Sequence, residues 1–65
     1  MMNNGVVELV TNEQMDNIMN LKADVEAWVF DSFDKVGCIS RFDDDVVVMG
    51  NDYYMREHCR FIART

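Results

Sequence analysis

The sequence predicts a small single-domain α+β fold, in which one long amphipathic helix packs on a short antiparallel hairpin. Apolar residues recur with helical spacing from Asn12 to Val36, directly after a helix-capping pattern. Two short apolar runs follow, and the acidic turn Asp43–Asp45 joins them, which favours a hairpin. Residues 1–65 are assigned to one domain, because a chain of 65 residues has no room for a second core.

The chain begins with a polar end and a short candidate strand. Met1 to Gly5 is polar and is expected to fray, as unanchored termini do. Val6 to Val10 is rich in β-branched residues, which favours a first strand. A loose lead-in to the helix is the alternative. With the strand the predicted element order is βαββα, and without it the order is αββα.

The helix is predicted to run from Asn12 to Val36. Thr11 and Gln14 fit a capping box, in which each side chain bonds the backbone amide of the other residue. Gly37 is a natural left-handed residue for the end of the helix. The apolar face comprises Met15, Ile18, Leu21, Val25, Trp28, Val29, Phe33 and Val36. A helix of this length is unusual in a globular domain, so a break near Asp31 is the alternative.

The hairpin is predicted from two apolar runs, Cys38 to Phe42 and Val46 to Met49. Asp43–Asp45 joins them as a short polar turn. Gly50 to Asp52 then marks either a second turn or the start of a helix, because Asn and Asp serve in both.

The last segment, Tyr53 to Arg64, is predicted as a second helix. In a helix Met55, Cys59 and Ile62 share one side. A third strand is the alternative and would give a three-stranded meander, but it places Glu57 among apolar side chains. The helix fits the apolar pattern slightly better.

The composition argues against a metal site, a cofactor or an enzyme. Cys38, His58 and Cys59 are the only soft metal ligands, whereas a structural zinc site needs four. Asp43–Asp45 lacks the glycine and the distal glutamate of a calcium loop. Nucleophilic catalysis also needs a base and a cleft, and a domain this small rarely encloses one. We therefore expect no metal, no cofactor and no catalytic residue.

The sequence also predicts a cytoplasmic location. Two cysteines are fewer than a disulfide framework normally uses in so short a domain. The first residues lack the basic region and apolar run of a signal peptide. No stretch approaches the ~20 apolar residues that a membrane span needs.

The most informative feature is an acidic surface on the predicted helix. Twelve acidic residues against six basic ones give a net charge of −6, which attracts basic partners. The candidate partner-binding residues are Glu13, Asp16, Asp24, Asp31 and Asp34 on the helix, with Asp43, Asp44 and Asp45 beside it. Carboxylates one or two helical turns apart lie ~5–11 Å from each other, on the length scale of the DNA backbone charges. An ordinary solvated helix face is the alternative.

These observations predict a non-enzymatic protein that binds another protein and inhibits or modulates it. Its expected partner is a basic, nucleic-acid-handling protein, whose groove the acidic helix would occupy as a DNA mimic. Short, acidic proteins without motifs are common among phage accessory proteins, so a phage-type role is expected. The net charge of −6 disfavours direct binding to nucleic acid.

Two other functions stay open. One is a small nucleic-acid-binding regulator that uses Arg56, Arg60 and Arg64, which recur at i, i+4 and i+8 and would align along a C-terminal helix. The other is a homodimeric structural or assembly protein. Its subunits would join through the apolar face of the long helix.

Overall fold

A computed structural model describes residues 5–64, and about half of this part of the chain lies in strands. Met1 to Asn4 and Thr65 are outside the described residues, so the predicted fraying of the N-terminus falls there except at Gly5, which is partly buried. The elements in chain order are β1 (Val6–Glu8), α1 (Asn12–Leu21), β2 (Val25–Val29), β3 (Ser32–Gly37), β4 (Arg41–Phe42), β5 (Val46–Met49), β6 (Asp52–Met55), a 3₁₀ turn (Arg56–His58) and β7 (Cys59–Arg64).

The strands form two antiparallel sheets. The larger sheet has the order β1-β7-β2-β3, so the last strand of the chain lies between the first two strands. The smaller sheet is the meander β4-β5-β6. The described chain is therefore a mostly-sheet single domain with one α-helix, and neither predicted order, βαββα or αββα, describes it.

The helix begins as the sequence predicts. The Gln14 backbone amide donates to Thr11 Oγ1 at 3.1 Å, and Gln14 Oε1 accepts from the Thr11 amide at 3.0 Å. This confirms the capping box. The strand predicted for Val6 to Val10 also forms, but it is shorter, since β1 covers only Val6–Glu8.

The predicted end of the helix at Val36 is wrong, since α1 ends at Leu21. Lys22 adopts a left-handed conformation, with φ 54°. The amides of Lys22 and Ala23 close the last turn by donating to carbonyls of α1. Such a cap is usually a glycine, so a lysine at this position gives no signal in the sequence.

The residues predicted as the second half of the helix form the hairpin β2-β3. Phe30 and Asp31 connect the strands with φ 47° and 67°. Two positive φ angles in a two-residue loop are those of a type I′ turn. The chain therefore reverses direction at Asp31, the residue near which the alternative prediction placed a break in the helix. Gly37, predicted as the helix cap, is the last residue of β3.

The C-terminal predictions are partly confirmed. Val46–Met49 is strand β5, and the turn Asp43–Asp45 joins it to β4, but β4 covers only Arg41–Phe42 of the predicted Cys38–Phe42. Gly50, with φ 66°, lies in the second turn. The helix predicted for Tyr53 to Arg64 is wrong, because this segment forms most of β6, the 3₁₀ turn and β7.

The core lies between one face of the larger sheet, the helix and the smaller sheet. The larger sheet contributes Val25, Ala27, Phe61 and Ala63; the helix contributes Met15; and the smaller sheet contributes Val47, Met49 and Tyr54. Alternate residues of β2 and β7 therefore point away from this core. Among residues 5–64 no helix is long and apolar enough to cross a membrane.

Candidate functional site

The structure distributes the eight predicted acidic residues over several elements. It places Glu13 and Asp16 on α1, Asp24 between α1 and β2, Asp31 in the β2-β3 turn, Asp34 in β3, and Asp43, Asp44 and Asp45 in the β4-β5 turn. All eight are exposed. The single acidic helix face predicted from the sequence does not exist, because its second half is a hairpin.

Asp34 and Asp43 accept hydrogen bonds that connect parts of the fold. Asp34 Oδ2 accepts a hydrogen bond of 2.5 Å from the Tyr54 hydroxyl. Asp43 Oδ1 accepts from the backbone amides of Asp45 and Val46, both at 2.8 Å, which closes the β4-β5 turn. These two amide bonds hold the pKa of the Asp43 carboxyl below its usual value.

A hydrogen bond joins the acidic turn to the helix. Asn12 Nδ2 donates to Asp44 Oδ1 at 2.7 Å, across 32 positions of sequence. Asp16 lies one helical turn after Asn12 on the same side of α1. We call the five carboxylates brought to this end of the molecule the acidic surface; they are Glu13, Asp16, Asp43, Asp44 and Asp45.

Arg56 bonds three segments at the acidic surface. Its guanidinium donates to Asn12 Oδ1 and the Asp43 carbonyl at 2.6 Å each, and to the Val10 carbonyl at 2.9 Å. One partly buried side chain therefore ties together the segment before α1, the helix itself and the acidic turn. Sequence reasoning missed this role, because the contacts join residues far apart in the chain.

The arginine stripe predicted for a C-terminal helix does not form. Arg56 lies in the 3₁₀ turn, whereas Arg60 and Arg64 lie in β7, where every second residue faces the same side. Arg64 Nε donates to Glu26 Oε2 at 2.6 Å, and Arg60 lies 3.6 Å from Asp31 Oδ1.

These ion pairs border a groove on the outer face of the larger sheet. The groove has a volume of about 280 Å³ and is lined by Val6, Trp28 and Ile62 between the two pairs. The Glu26 carboxylate accepts from Arg64 and also from the Trp28 indole N–H, and both bonds hold its pKa below the usual value. The alternation Val25-Glu26-Ala27-Trp28-Val29 is the signal that could have revealed this sheet face.

The remaining reactive side chains of residues 5–64 are two cysteines and one histidine. Cys38 Sγ donates to the Lys22 carbonyl at 3.2 Å. Burial raises the pKa of the Cys59 thiol, with a further contribution from Asp34, so this thiol is a poor nucleophile. In the described part of the chain no three His, Cys, Asp or Glu side chains are grouped to hold a metal ion.

No protein-family model, curated protein or solved structure matched the chain. Two surfaces differ from the rest of the described chain, the acidic surface at the start of α1 and the outer face of the larger sheet. The first is strongly charged, and the second combines apolar side chains with charges of both signs.

Proposed function

We propose that the protein is a non-enzymatic binding protein whose acidic surface docks on a basic site of a partner protein and blocks or modulates that site. The observation that carries this proposal is the hydrogen bond from Asn12 to Asp44. It joins two acidic segments, remote in sequence, into one exposed surface. Proteins that handle nucleic acids carry basic grooves, so this class of partner fits best.

The charge balance supports the proposal. All twelve acidic residues lie in the described part of the chain, and within it only Glu26, Asp31 and Asp52 have a basic group within 4.0 Å. Arg41 and Arg56 act on Asp43 at longer range, but five carboxylates against these two cations leave the acidic surface with a net negative charge for an external partner. Together with the net charge of −6, they would steer a basic protein toward this end of the molecule and raise the association rate.

Direct binding to nucleic acid has less support. Arg60 and Arg64 each contact a carboxylate, and Arg56 spends its donors on two carbonyls and one amide oxygen. Phosphate binding would have to displace these internal partners in a chain that is already acidic. The regulator that uses the arginines is therefore the weaker proposal.

The test uses two charge-reversed variants with equal changes in net charge. Glu13→Lys/Asp45→Lys alters the acidic surface, where neither side chain makes a hydrogen bond or ion pair within residues 5–64. Asp24→Lys/Asp31→Lys is the matched control at exposed positions outside that surface, where the one ion pair lost is the exposed Arg60–Asp31 contact of 3.6 Å. Both variants and the unmodified protein serve as bait for host-cell proteins, and the retained proteins are quantified by mass spectrometry.

We expect the unmodified protein and the control to retain the same basic, nucleic-acid-handling protein, and the Glu13/Asp45 variant to lose it. Added duplex DNA should release that protein from the bait, because both ligands compete for one basic groove. Equal retention by both variants would remove the acidic surface as the interface. A phage-type role is part of the proposal, and phage genes beside this one would support it.

A further inference from the structure

The outer face of the larger sheet is unusually apolar for a sheet face that no other layer of residues 5–64 covers. The strand registers arrange its side chains in three rows, which are Val6 and Arg64; Glu8, Ile62, Glu26 and Val36; and Arg60, Trp28 and Phe33. Five of these nine side chains are apolar, whereas the solvated face of an antiparallel sheet normally carries polar ones.

The apolar side chains on this face are large and accessible. Val6, Phe33 and Val36 are 57%, 52% and 53% exposed. Phe33 packs its ring edge-to-face on Trp28, with centroids 5.5 Å apart, so the two rings form one ordered patch rather than separate flexible side chains. Contiguous patches of this kind on a small protein mark interaction surfaces.

The charges on the outer face identify its occupant. Arg64 pairs with Glu26 and Arg60 pairs with Asp31 at the border of this face, which leaves Glu8 as its one carboxylate without an ion pair in residues 5–64. The face therefore carries a net charge of −1, and five of the six net negative charges lie on the rest of the chain. Two copies of this acidic protein repel each other over most approaches. That repulsion is weakest when the two outer faces, which carry little of the net charge, come together.

We propose that the outer face of the larger sheet binds the same face of a second copy of this chain, giving a two-fold symmetric dimer. Such an interface requires a self-complementary surface, and a face that holds glutamates and arginines around an apolar centre has this property. Two sheets pack face to face through interdigitated apolar side chains, with Trp28 and Phe33 as the central contacts.

The dimer leaves the acidic surface free. The helix α1 packs through Met15 on the core, which lies on the opposite side of the larger sheet from the outer face. Each dimer would therefore present two acidic surfaces to solvent. The dimer interface does not depend on the proposed binding of a basic partner, and either proposal can fail without the other.

Sedimentation equilibrium and tryptophan fluorescence test the dimer together. The chain has one tryptophan, Trp28, and it lies at the centre of the proposed interface. One face of a four-stranded sheet is smaller than a standard interface of ~800 Å² per partner, so we expect a weak dimer. The protein concentration should therefore span about 5 to 500 μM, the range in which a weak dimer forms. We expect the mass to rise from 7.6 kDa toward twice that value, with a blue shift of the Trp28 emission over the same range.

Two variants and one control locate the interface. Val36→Glu and Val6→Glu place a charge at opposite edges of the outer face, and each should raise the dissociation constant at least ~10-fold by burying an unpaired charge. Leu21→Glu makes the same change at the end of α1, where the side chain is 74% exposed, and should leave the dimer intact. Circular dichroism checks that each variant is folded.

Three results would overturn the proposal. The first is a mass that stays at 7.6 kDa over the whole range, which would leave the face to a different partner or to solvent. The second is a dimer that Leu21→Glu weakens as much as Val36→Glu and Val6→Glu do. The third is dimerisation without any change in Trp28 emission, which would place the interface elsewhere.

Discussion

The Tyr54 hydroxyl donates a 2.5 Å hydrogen bond to Asp34 and thereby joins the two sheets of the protein. Tyr54 lies in β6 of the smaller sheet, and Asp34 lies in β3 at the edge of the larger one. The Tyr54 ring also packs edge-to-face on Phe61, at 6.1 Å between centroids. Asp34, predicted from the sequence to contact a partner protein, thus has a structural bond within the chain.

The first prediction concerns the stability that this bond provides. Tyr54→Phe keeps the ring in the core but removes the donor to a charged acceptor, and should lower the free energy of unfolding by about 1–2 kcal/mol. Tyr53→Phe is the matched control, since Tyr53 is 66% exposed, and it should change that free energy by less than about 0.5 kcal/mol. Urea denaturation measures both. Equal effects would show that the Asp34 bond contributes nothing.

The second prediction is the response of the same pair to alkaline pH. Burial, followed by the bond to Asp34, raises the pKa of Tyr54 above its ordinary value of 10.0. The unfolded chain therefore loses this proton at lower pH than the folded chain, and stability falls as pH rises above about 10. The difference in unfolding free energy between the unmodified protein and Tyr54→Phe should narrow from pH 9 to pH 11.

A direct titration complements that measurement. In Tyr53→Phe the only tyrosine left is Tyr54, so absorbance of the phenolate at alkaline pH reports on this residue alone. We expect the absorbance to rise only above pH 10.0, together with loss of the near-ultraviolet circular dichroism. Titration at the ordinary pKa in a chain that stays folded would contradict the buried, hydrogen-bonded hydroxyl.

The parts of the fold that the sequence predicts correctly depend on neighbouring residues. The capping box joins residues three apart, and β5 with its two turns is a continuous segment. The long helix fails because Val25 and Val29 are four residues apart, a spacing that fits both a helical turn and a two-residue period, so the apolar pattern cannot separate the two structures. Pairing of β2 with β7, 30 to 38 residues away in the chain, decides in favour of strands.

The candidate site also combines a local feature that the sequence predicts with distant contacts that it does not. The exposed turn Asp43–Asp45 is recognisable from its composition alone. The bonds that place it beside α1 are not, because Asn12 contacts Asp44 across 32 positions and Arg56 contacts Val10 across 46. Contacts of this range depend on the chain's complete topology, which periodicity does not encode.

The third prediction separates the hairpin from the helix first expected for this segment. Asp31 has φ 67° in the β2-β3 turn, a conformation that glycine adopts without strain. Asp31→Gly relieves this left-handed strain but gives the unfolded chain more freedom, so it should raise the free energy of unfolding by about 0.5–1 kcal/mol in balance. Asp16→Gly, inside α1, should lower it by about 1 kcal/mol. Destabilisation by both glycines in thermal or urea unfolding would favour a helix through Asp31.

The fourth prediction concerns Arg56 as a structural residue. Arg56→Ala removes three hydrogen bonds that tie α1 to the acidic turn, and should lower the free energy of unfolding by about 2 kcal/mol. Arg60→Ala removes only an exposed ion pair at 3.6 Å, for an expected change under about 0.5 kcal/mol. Urea denaturation measures both variants. A larger loss of unfolding free energy for Arg60→Ala than for Arg56→Ala would contradict the structural role of Arg56.

The last prediction is the response of the acidic turn to acid. Because backbone amides lower the pKa of Asp43 below its ordinary value of 3.8, the unfolded chain takes up this proton first as pH falls. The contribution of Asp43 to stability is therefore present above about pH 4 and is lost below it. Asp43→Asn keeps an acceptor oxygen but no charge, so the unmodified protein should be the more stable of the two at pH 7. The difference in unfolding free energy should close toward pH 2.5.

Asp45→Asn serves as the control, since its carboxylate accepts no hydrogen bond within residues 5–64. Urea denaturation from pH 7 to pH 2.5 measures the three proteins. If Asp43→Asn and the unmodified protein show the same pH dependence, the turn gains no stability from the Asp43 charge.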